Sequence, residues 1–205
     1  MQVLLATRNA GKLVELARIL APIEVLGLAD VAQFAELPET GATYADNALI
    51  KAREAASQTG ILALADDSGL AVDALNGMPG VLSARWSGRA AVSANGDKLP
   101  SADQANVELL LAQLADVPVE RRSASFRCAV ALVTPDGFEV VTEAAMPGRI
   151  IDSPRGSNGF GYDPIFVPDG YEQTSAELSP DVKDRISHRG QALQAMVPEL
   201  QRLLN

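Results

Sequence analysis

Cysteine is almost missing from this 205-residue chain, which has one, Cys128. A single thiol excludes an internal disulfide framework and leaves no Cys cluster for zinc. Its place in the apolar run FRCAVALV instead predicts a small buried side chain in a strand. Aromatic residues make up 4% of the chain, which is sparse for the stacking platforms of single-strand nucleic-acid binders. Positive charge is also short, with 17 Lys and Arg against 26 Asp and Glu and a net charge of -9. That balance opposes non-specific binding to duplex nucleic acid or to anionic lipid. A polyanionic ligand would need a local basic pocket or a metal ion. No apolar run approaches the roughly 18 residues of a membrane span. The stretch MQVLLATRN has too short an apolar run, and too little basic charge before it, for a signal peptide. The expectation is a cytoplasmic protein with neither nucleic acid nor membrane as partner.

What is present is a globular composition, 47% apolar and 21% charged, long enough to bury a substantial core in one domain or one domain with two lobes. No internal repeat or low-complexity linker marks a boundary, so residues 1–205 are read as a single domain. Gln2 to Ala6 is a short apolar run, and Asn9 stands before an amphipathic segment from Ala10 to Leu20, a strand, tight turn and helix. Glu24 to Gly27 predicts a second strand, followed by a short helical or irregular piece around Asp30 to Glu36. Thr43 and Asp46 form a capping pattern for a helix from Tyr44 to Thr59, closed by Gly60. Ile61 to Ala65 predicts a third strand. The Gly-, Pro- and Ser-rich stretch from Asn76 to Pro100 predicts a long loop with one short element around Leu82 to Trp86. A helix is expected from Ala102 to Leu114. Two strands, Ser123 to Thr134 and Phe138 to Ala145, are joined by Pro135-Asp136-Gly137, a hairpin turn. Ser179-Pro180 starts a helix, and Arg189 to Leu204 is helical despite Pro198, which should kink it.

Four stretches could carry chemistry. In TRNAGK, a strand-to-helix turn presents unpaired N–H groups and the positive end of the helix dipole, and Lys12 adds a full charge. This is phosphate-binding equipment, although an Asn cap followed by a solvated lysine would read the same, and the spacing is neither a Walker A loop nor G-x-G-x-x-G. In ETGATYADNALIKAR, Asn47 and Lys51 are four apart on one helical face among alanines, with Glu39 in the loop before the helix. A solvated charged face is the simpler account of that stretch alone.

ADDSGL places two carboxylates together at the end of an apolar strand. Successive residues leaving a strand point to opposite sides, so Asp66 and Asp67 need not share a role. A hard divalent cation would remove the repulsion between them, while Asp-Ser-Gly also suits a plain turn. In GFGYDP, Phe160 and Tyr162 lie between glycines in what reads as an exposed loop and could offer a flat face to a base. His188, the only histidine, precedes Arg189 in SHRG at a helix start, and adjacent donors there could read the oxygen edge of a purine.

TRNAGK, ETG with Asn47 and Lys51, ADDSGL, SNGFGYDPIF, Lys183 and SHRGQAL occur in the order and spacing of the inosine triphosphate pyrophosphatase (Ham1-like) family, and the chain resembles that family over nearly its whole length. The resemblance implies hydrolysis of ITP, dITP and XTP to the monophosphate and pyrophosphate with Mg²⁺. It implies a homodimer of α/β subunits, each an elongated mixed, twisted β-sheet flanked by helices, with two lobes and the active-site cleft between them.

Carried over by position, the resemblance places Thr7, Arg8, Asn9, Ala10, Gly11, Lys12 and Lys51 on the triphosphate. It places Glu39 and Asp67 on the metal, with Asp67 also the proton acceptor, and makes Ser68 a substrate contact. Phe160, Gly161, Tyr162, Asp163, Lys183, His188 and Arg189 would form the nucleobase pocket. Two departures stand out. Arg8 occupies a position where many relatives carry Gly or Asn, and the segment Arg89 to Gln104 looks longer than in compact relatives. Which of Asp66 and Asp67 takes the proton stays open at this level. Two other readings are a nucleotide-binding module without catalysis, which would need Lys12 and Lys51 but no paired Asp, and a Maf-like nucleotide pyrophosphatase, which lacks the SHRG and FGYDP arrangement.

Overall fold

The computed structural model describes residues 2–35, 37–88 and 101–204. Along them run β1 (Val3–Leu5), α1 (Ala10–Leu20), β2 (Val25–Gly27), α2 (Tyr44–Thr59), β3 (Leu62–Val72), α3 (Ala102–Gln113), β4 (Ser123–Val133), β5 (Glu139–Ile150), β6 (Phe166–Pro168), α4 (Pro180–Ile186) and α5 (His188–Leu204). The strands form one sheet in the order β2-β1-β3-β4-β5-β6. β1 is parallel to both β2 and β3, and β6 is antiparallel to β5. This is the mixed α/β sheet with flanking helices that the motifs imply. No helix among the described residues is long and apolar enough to cross a membrane. Most of the long Arg89 to Gln104 segment lies outside the described residues.

The helix ends follow from local chemistry. Asn9 accepts a hydrogen bond from the Lys12 N–H and opens α1. Thr43 and Asp46 satisfy each other's backbone N–H groups at the start of α2, and Gly60, at φ 66, ends that helix in the left-handed conformation. Ser101 caps α3 on the Gln104 N–H. α5 runs through Pro198 as one helix. Between β4 and β5, Gly137 sits at φ 94 and donates to the Thr134 carbonyl, closing the Pro-Asp-Gly turn.

The chain divides into two compact units. The first comprises Met1–Ser68, Arg127–Ala145 and Asp184–Asn205; the second comprises Gly69–Phe126 and Met146–Lys183. In the first unit, the period of two along the strands sorts side chains by size. Val3, Leu5, Leu62, Leu64, Cys128, Val130 and Leu132 cluster with Leu16 and Leu20 of α1 and Leu193, Met196 and Leu200 of α5. The intervening residues Leu4, Ala6, Ala63, Ala65, Ala129, Ala131 and Val133 cluster with Ala48, Ala52, Ala55 and Ala56 of α2. One face is large against large, and the other is mostly alanine against alanine. Cys128 is buried as expected, and burial pushes its thiol up to about 12.

In the second unit, the Phe126 and Phe166 rings pack with centroids 4.6 Å apart, and Gly148 pairs with Pro168 in the β5–β6 register. A Cβ at Gly148 would lie 2.3 Å from the Val167 carbonyl oxygen, so the side chain must be absent there. The same holds at Gly69, where a Cβ would come within 2.4 Å of the Gly80 carbonyl and 2.5 Å of Ser83 Oγ.

β3 corrects one expectation. The strand does not stop at Ala65 but continues through Asp66, Asp67, Ser68 and Gly69 to Val72. The turn-like composition of that stretch is overridden because cations from elsewhere in the chain satisfy both carboxylates in extended backbone.

Candidate active site

The pleat of β3 sends the two aspartates to opposite faces. Asp66 continues the series Leu62, Leu64 and faces α1 and α5; Asp67 continues Ala63, Ala65 and faces α2. Asp66 has a side chain with no exposure and lies 2.9 Å from Lys12 Nζ and 3.2 Å from Arg189 Nε, both through Oδ2. Ser68 Oγ also donates to that oxygen, at 3.3 Å, while Oδ1 has no hydrogen-bond partner among the described residues. Burial works against its charge, but Lys12, Arg189 and Lys51 outweigh it and hold the carboxyl well below the usual carboxylate range.

Asp67 is held differently. Lys51 Nζ donates to its Oδ1 at 3.0 Å, and Asn47 Nδ2 donates to its Oδ2 at 3.2 Å. Here burial wins, with Glu39 adding to it and Lys51 and Lys12 only partly offsetting, so the Asp67 carboxyl is raised. Lys51 is also raised although burial opposes its charge, because Asp67, Asp66 and Glu39 all favour the ammonium. The two shifts in one ion pair agree once the neighbours are counted. The lysine answers to three carboxylates, while Asp67 has a second acid close by.

The loop before α2 explains how Glu39 reaches this group. The Gly41 N–H donates to Asn47 Oδ1 at 2.8 Å, and a Cβ on Gly41 would lie 2.5 Å from Asp46 Cβ. Glycine therefore lets the loop press onto the start of the helix, and Glu39 Oε1 comes within 3.1 Å of Lys51 Nζ. Glu39 and Asp67 thus already share one cation. Two carboxylates are a donor set that Mg²⁺ could use, since it commonly takes one or two protein carboxylates and completes its octahedron with water and phosphate oxygens. No group of three His, Cys, Asp or Glu side chains able to hold an ion occurs among the described residues.

The turn from Thr7 to Lys12 is ordered by its own side chains. Thr7 Oγ1 accepts from the Asn9 N–H at 3.2 Å, and Asn9 Oδ1 accepts from the Lys12 N–H at 3.1 Å. Gly11 lies in the first turn of α1. Arg8 is exposed, and its Nη2 donates to the Phe34 carbonyl at 3.2 Å.

At the start of α5, the Ser187 hydroxyl accepts from the Gly190 N–H. A Cβ on Gly190 would lie 1.8 Å from the Asp184 carbonyl. The Ser and Gly of SHRG are therefore structural, and they fix His188 and Arg189, both buried. Arg189 donates through Nη1 to Glu15, through Nε to Asp66 and through Nη2 to Ser68 Oγ at 2.9 Å.

In the second unit, Asp163 Oδ2 accepts from the Phe160 N–H at 2.9 Å and from Lys183 Nζ at 2.7 Å. Lys183 Nζ lies 5.5 Å from the centre of the Phe160 ring. Gly159, at φ 78, has no room for a Cβ, which would meet Asp163 Oδ2 at 2.1 Å. Tyr162 departs from the expectation of an exposed stacking face. It is 4% exposed, its hydroxyl donates to the Ser83 carbonyl at 2.9 Å, and burial raises its phenol. Gly161 N–H donates to Asp103.

Two residues that the motifs did not assign join these groups. Asn47, fully buried, carried a signal in its spacing of four from Lys51. Glu15, three residues after Lys12 and so on the same face of α1, is 5% exposed and pairs with Arg189.

Known proteins resemble this chain in sequence and in fold. The Ham1 family model matches residues 3–199. A dITP/XTP pyrophosphatase of Mycobacteroides abscessus is 57% identical over 210 residues, covering 100% of this chain and 97% of that protein. Among solved structures, a nucleoside-triphosphatase / dITP/XTP pyrophosphatase from Mycobacterium abscessus matches with 58% identity and TM-score 0.75 over 97% of this chain and 100% of that one. The Staphylococcus aureus Ham1 protein matches with 36% identity and TM-score 0.82 over 98% of each. With the motifs, the fold and the full-length matches in agreement, the chain belongs to the Ham1 family.

Proposed function

We propose that the chain hydrolyses ITP, dITP and XTP to the monophosphate and pyrophosphate, with Mg²⁺ as cofactor, and so removes these nucleotides from the pool. The relatives' name, dITP/XTP pyrophosphatase, supports the reaction. The observation that carries it onto this chain is the division of labour between Asp66 and Asp67. Cleaving between the α-phosphorus and the oxygen bridging to the β-phosphate requires an attacking water to lose a proton and pyrophosphate to leave with its charge balanced. Asp67 suits the proton, because its burial favours the protonated form; Asp66, kept ionised by Lys12 and Arg189, is a poor acceptor. Lys12, Lys51 and the N–H groups at the start of α1 suit the phosphates. Mg²⁺ held by Glu39 and Asp67 would supply Lewis-acid stabilisation and lower the pKa of a bound water.

Base selectivity rests on Phe160 as a stacking face and on Lys183 as a donor toward the purine 6-oxygen, with Asp163 fixing both. Adenine presents an amino group at that position. A donor left facing a donor costs about 1–3 kcal/mol, and more when charged. GTP, which shares the 6-oxygen, would be refused at its 2-amino group. A homodimer in the cytoplasm completes the reading.

The test is a nucleotide panel with Mg²⁺ in which pyrophosphate and orthophosphate are both measured. Pyrophosphate release strong for ITP, dITP and XTP and weak for GTP and ATP is expected. Orthophosphate as the product, or equal turnover of ATP, would overturn the assignment.

A further inference from the structure

Lys51 stands between the two carboxylates assigned to the metal. Its Nζ lies 3.1 Å from Glu39 Oε1 and 3.0 Å from Asp67 Oδ1, and its side chain is 12% exposed. In the free protein one ammonium therefore occupies oxygen atoms that a divalent cation would take. The same ammonium is the group assigned to the triphosphate, so it has two alternative sets of anions and one charge to offer. We infer that Lys51 is an internal counter-ion that closes the Glu39 and Asp67 pair to free divalent metal, so that the metal enters with the nucleotide whose phosphates draw the ammonium away. This inference rests on the proposed metal role of the pair.

The reasoning is an exchange of partners. A free dication approaching Glu39 and Asp67 meets an ammonium at hydrogen-bond distance from both, and the repulsion between the cations opposes its entry. Lys51 has little freedom to withdraw unaided. It projects from α2, which is pinned to the sheet by Ala48, Ala52 and Ala55, and leaving would strip compensation from Asp67, whose remaining contact from α2 is the neutral amide of Asn47. A metal–triphosphate complex solves both problems at once. It brings a cation for the carboxylates and phosphate oxygens for the lysine, so every charge keeps an opposite partner through the exchange. A structural salt bridge that merely tied the loop before α2 to the helix would have the same distances but would not control metal affinity.

The experiment uses Mn²⁺ as the probe, with the free ion followed by electron paramagnetic resonance during titration of the full-length protein. Wild type, Lys51→Met, Lys51→Gln and Lys51→Met/Asp67→Asn are compared with and without an α,β-imido analogue of ITP, after thermal melts establish that each is folded. Without nucleotide, Lys51→Met is expected to bind Mn²⁺ at least about tenfold more tightly than wild type, as removal of an adjacent like charge demands. Lys51→Gln should gain with the same sign, and adding Asp67→Asn should abolish the gain. With the analogue, wild type should bind Mn²⁺ tightly. Equal affinity of wild type and both Lys51 variants for free Mn²⁺, with the analogue still recruiting the ion to wild type, would overturn the counter-ion role and leave the metal site standing. Failure of the analogue to recruit Mn²⁺ to wild type, or a Lys51→Met gain that survives Asp67→Asn, would remove the metal assignment and the counter-ion role with it.

Discussion

Asp66 and Asp67 are identical side chains one residue apart, and their surroundings set them to opposite tasks. On the α1 and α5 face, Asp66 shares one oxygen among Lys12, Arg189 and Ser68 and is locked in its charged form. On the α2 face, Asp67 has one lysine and one amide, with Glu39 nearby, and its charge is disfavoured by burial. Each carboxylate is buried, so burial alone does not separate them. What separates them is how many cations each face supplies. Burying a charge is costly unless it is paired, and a strand that alternates faces delivers one carboxylate to an oversupply of cations and the other to a shortage. The first becomes a fixed strut, and the second keeps the proton affinity that chemistry can use.

The contrast is broken most directly by changing each residue in turn. Asp67→Asn keeps the shape of the side chain and its place beside Lys51 while removing the carboxylate proposed to accept the proton and hold the metal. Turnover of ITP is expected to fall by about 10²–10⁴-fold or more, with nucleotide binding still measurable and thermal stability at least equal to wild type. Steady-state kinetics and a binding titration on the same preparation check this, and near wild-type turnover would show that the two acids are not divided as described.

Asp66→Ala addresses the other face. It leaves Arg189, 3% exposed, and Lys12 facing each other without the shared carboxylate. Removing one partner of a buried ion pair costs about 3–5 kcal/mol, and chemical denaturation should show a loss of that order. A loss as small as that of a surface pair would mean the strut carries no weight.

Which of these features the sequence announces depends on how local their causes are. α2 is bounded by Thr43, Asp46 and Gly60, all adjacent to the ends they define, and the structure begins and ends it at the predicted residues. The opposite facing of Asp66 and Asp67 is equally local, because the pleat needs only the next residue. The continuation of β3 to Val72 is not local. It depends on Arg189, 123 residues away from Asp66, and on Lys12 folding back from α1. Tyr162 shows the same limit in reverse. Its place in the glycine-rich run GFGYDP reads as exposed, but the acceptor that holds its hydroxyl inside, the Ser83 carbonyl, lies 79 residues earlier. Glu15 was hidden because an acid on a helix reads as surface until its partner is known.

Arg189 sharpens the comparison further. It offers three separate nitrogens to Glu15, Asp66 and Ser68, a fork that a lysine cannot reproduce. Arg189→Lys retains the charge but is expected to leave at least one buried acceptor short, at about 1–3 kcal/mol. Asn47→Ala removes the comparable holder on the Asp67 face, where Asp67 keeps Lys51. The useful readout is the pair of stability and turnover for each variant. Arg189→Lys should lose more stability, and Asn47→Ala should lose a larger share of kcat. The reverse pattern would interchange the roles of the two faces.

The smallest expected effect is in the pH dependence of stability, and there the two aspartates should differ in sign. The Asp66 carboxyl is held below its ordinary value when folded, because Lys12 and Arg189 outweigh burial, whereas in the unfolded chain it titrates near about 3.9. The folded state thus binds the Asp66 proton less readily. Ionised Asp66 contributes stability above about pH 3.9, and that contribution is lost as the pH falls toward the folded value. Asp67 is shifted the other way by burial. Its folded state holds the proton more tightly, so its favourable contribution is complete below the unfolded value and is lost as the pH rises through the folded one. Asparagine at either position abolishes the corresponding titration. In urea denaturation between about pH 3 and 8, with metal chelated and nucleotide absent, wild type should exceed Asp66→Asn at neutral pH by a margin that narrows below about pH 4. Relative to Asp67→Asn, wild type should instead gain stability as the pH falls across the acid range. Two margins that move in the same direction would mean that one environment governs both carboxylates, and the division of the strand into a fixed strut and a proton acceptor would fail.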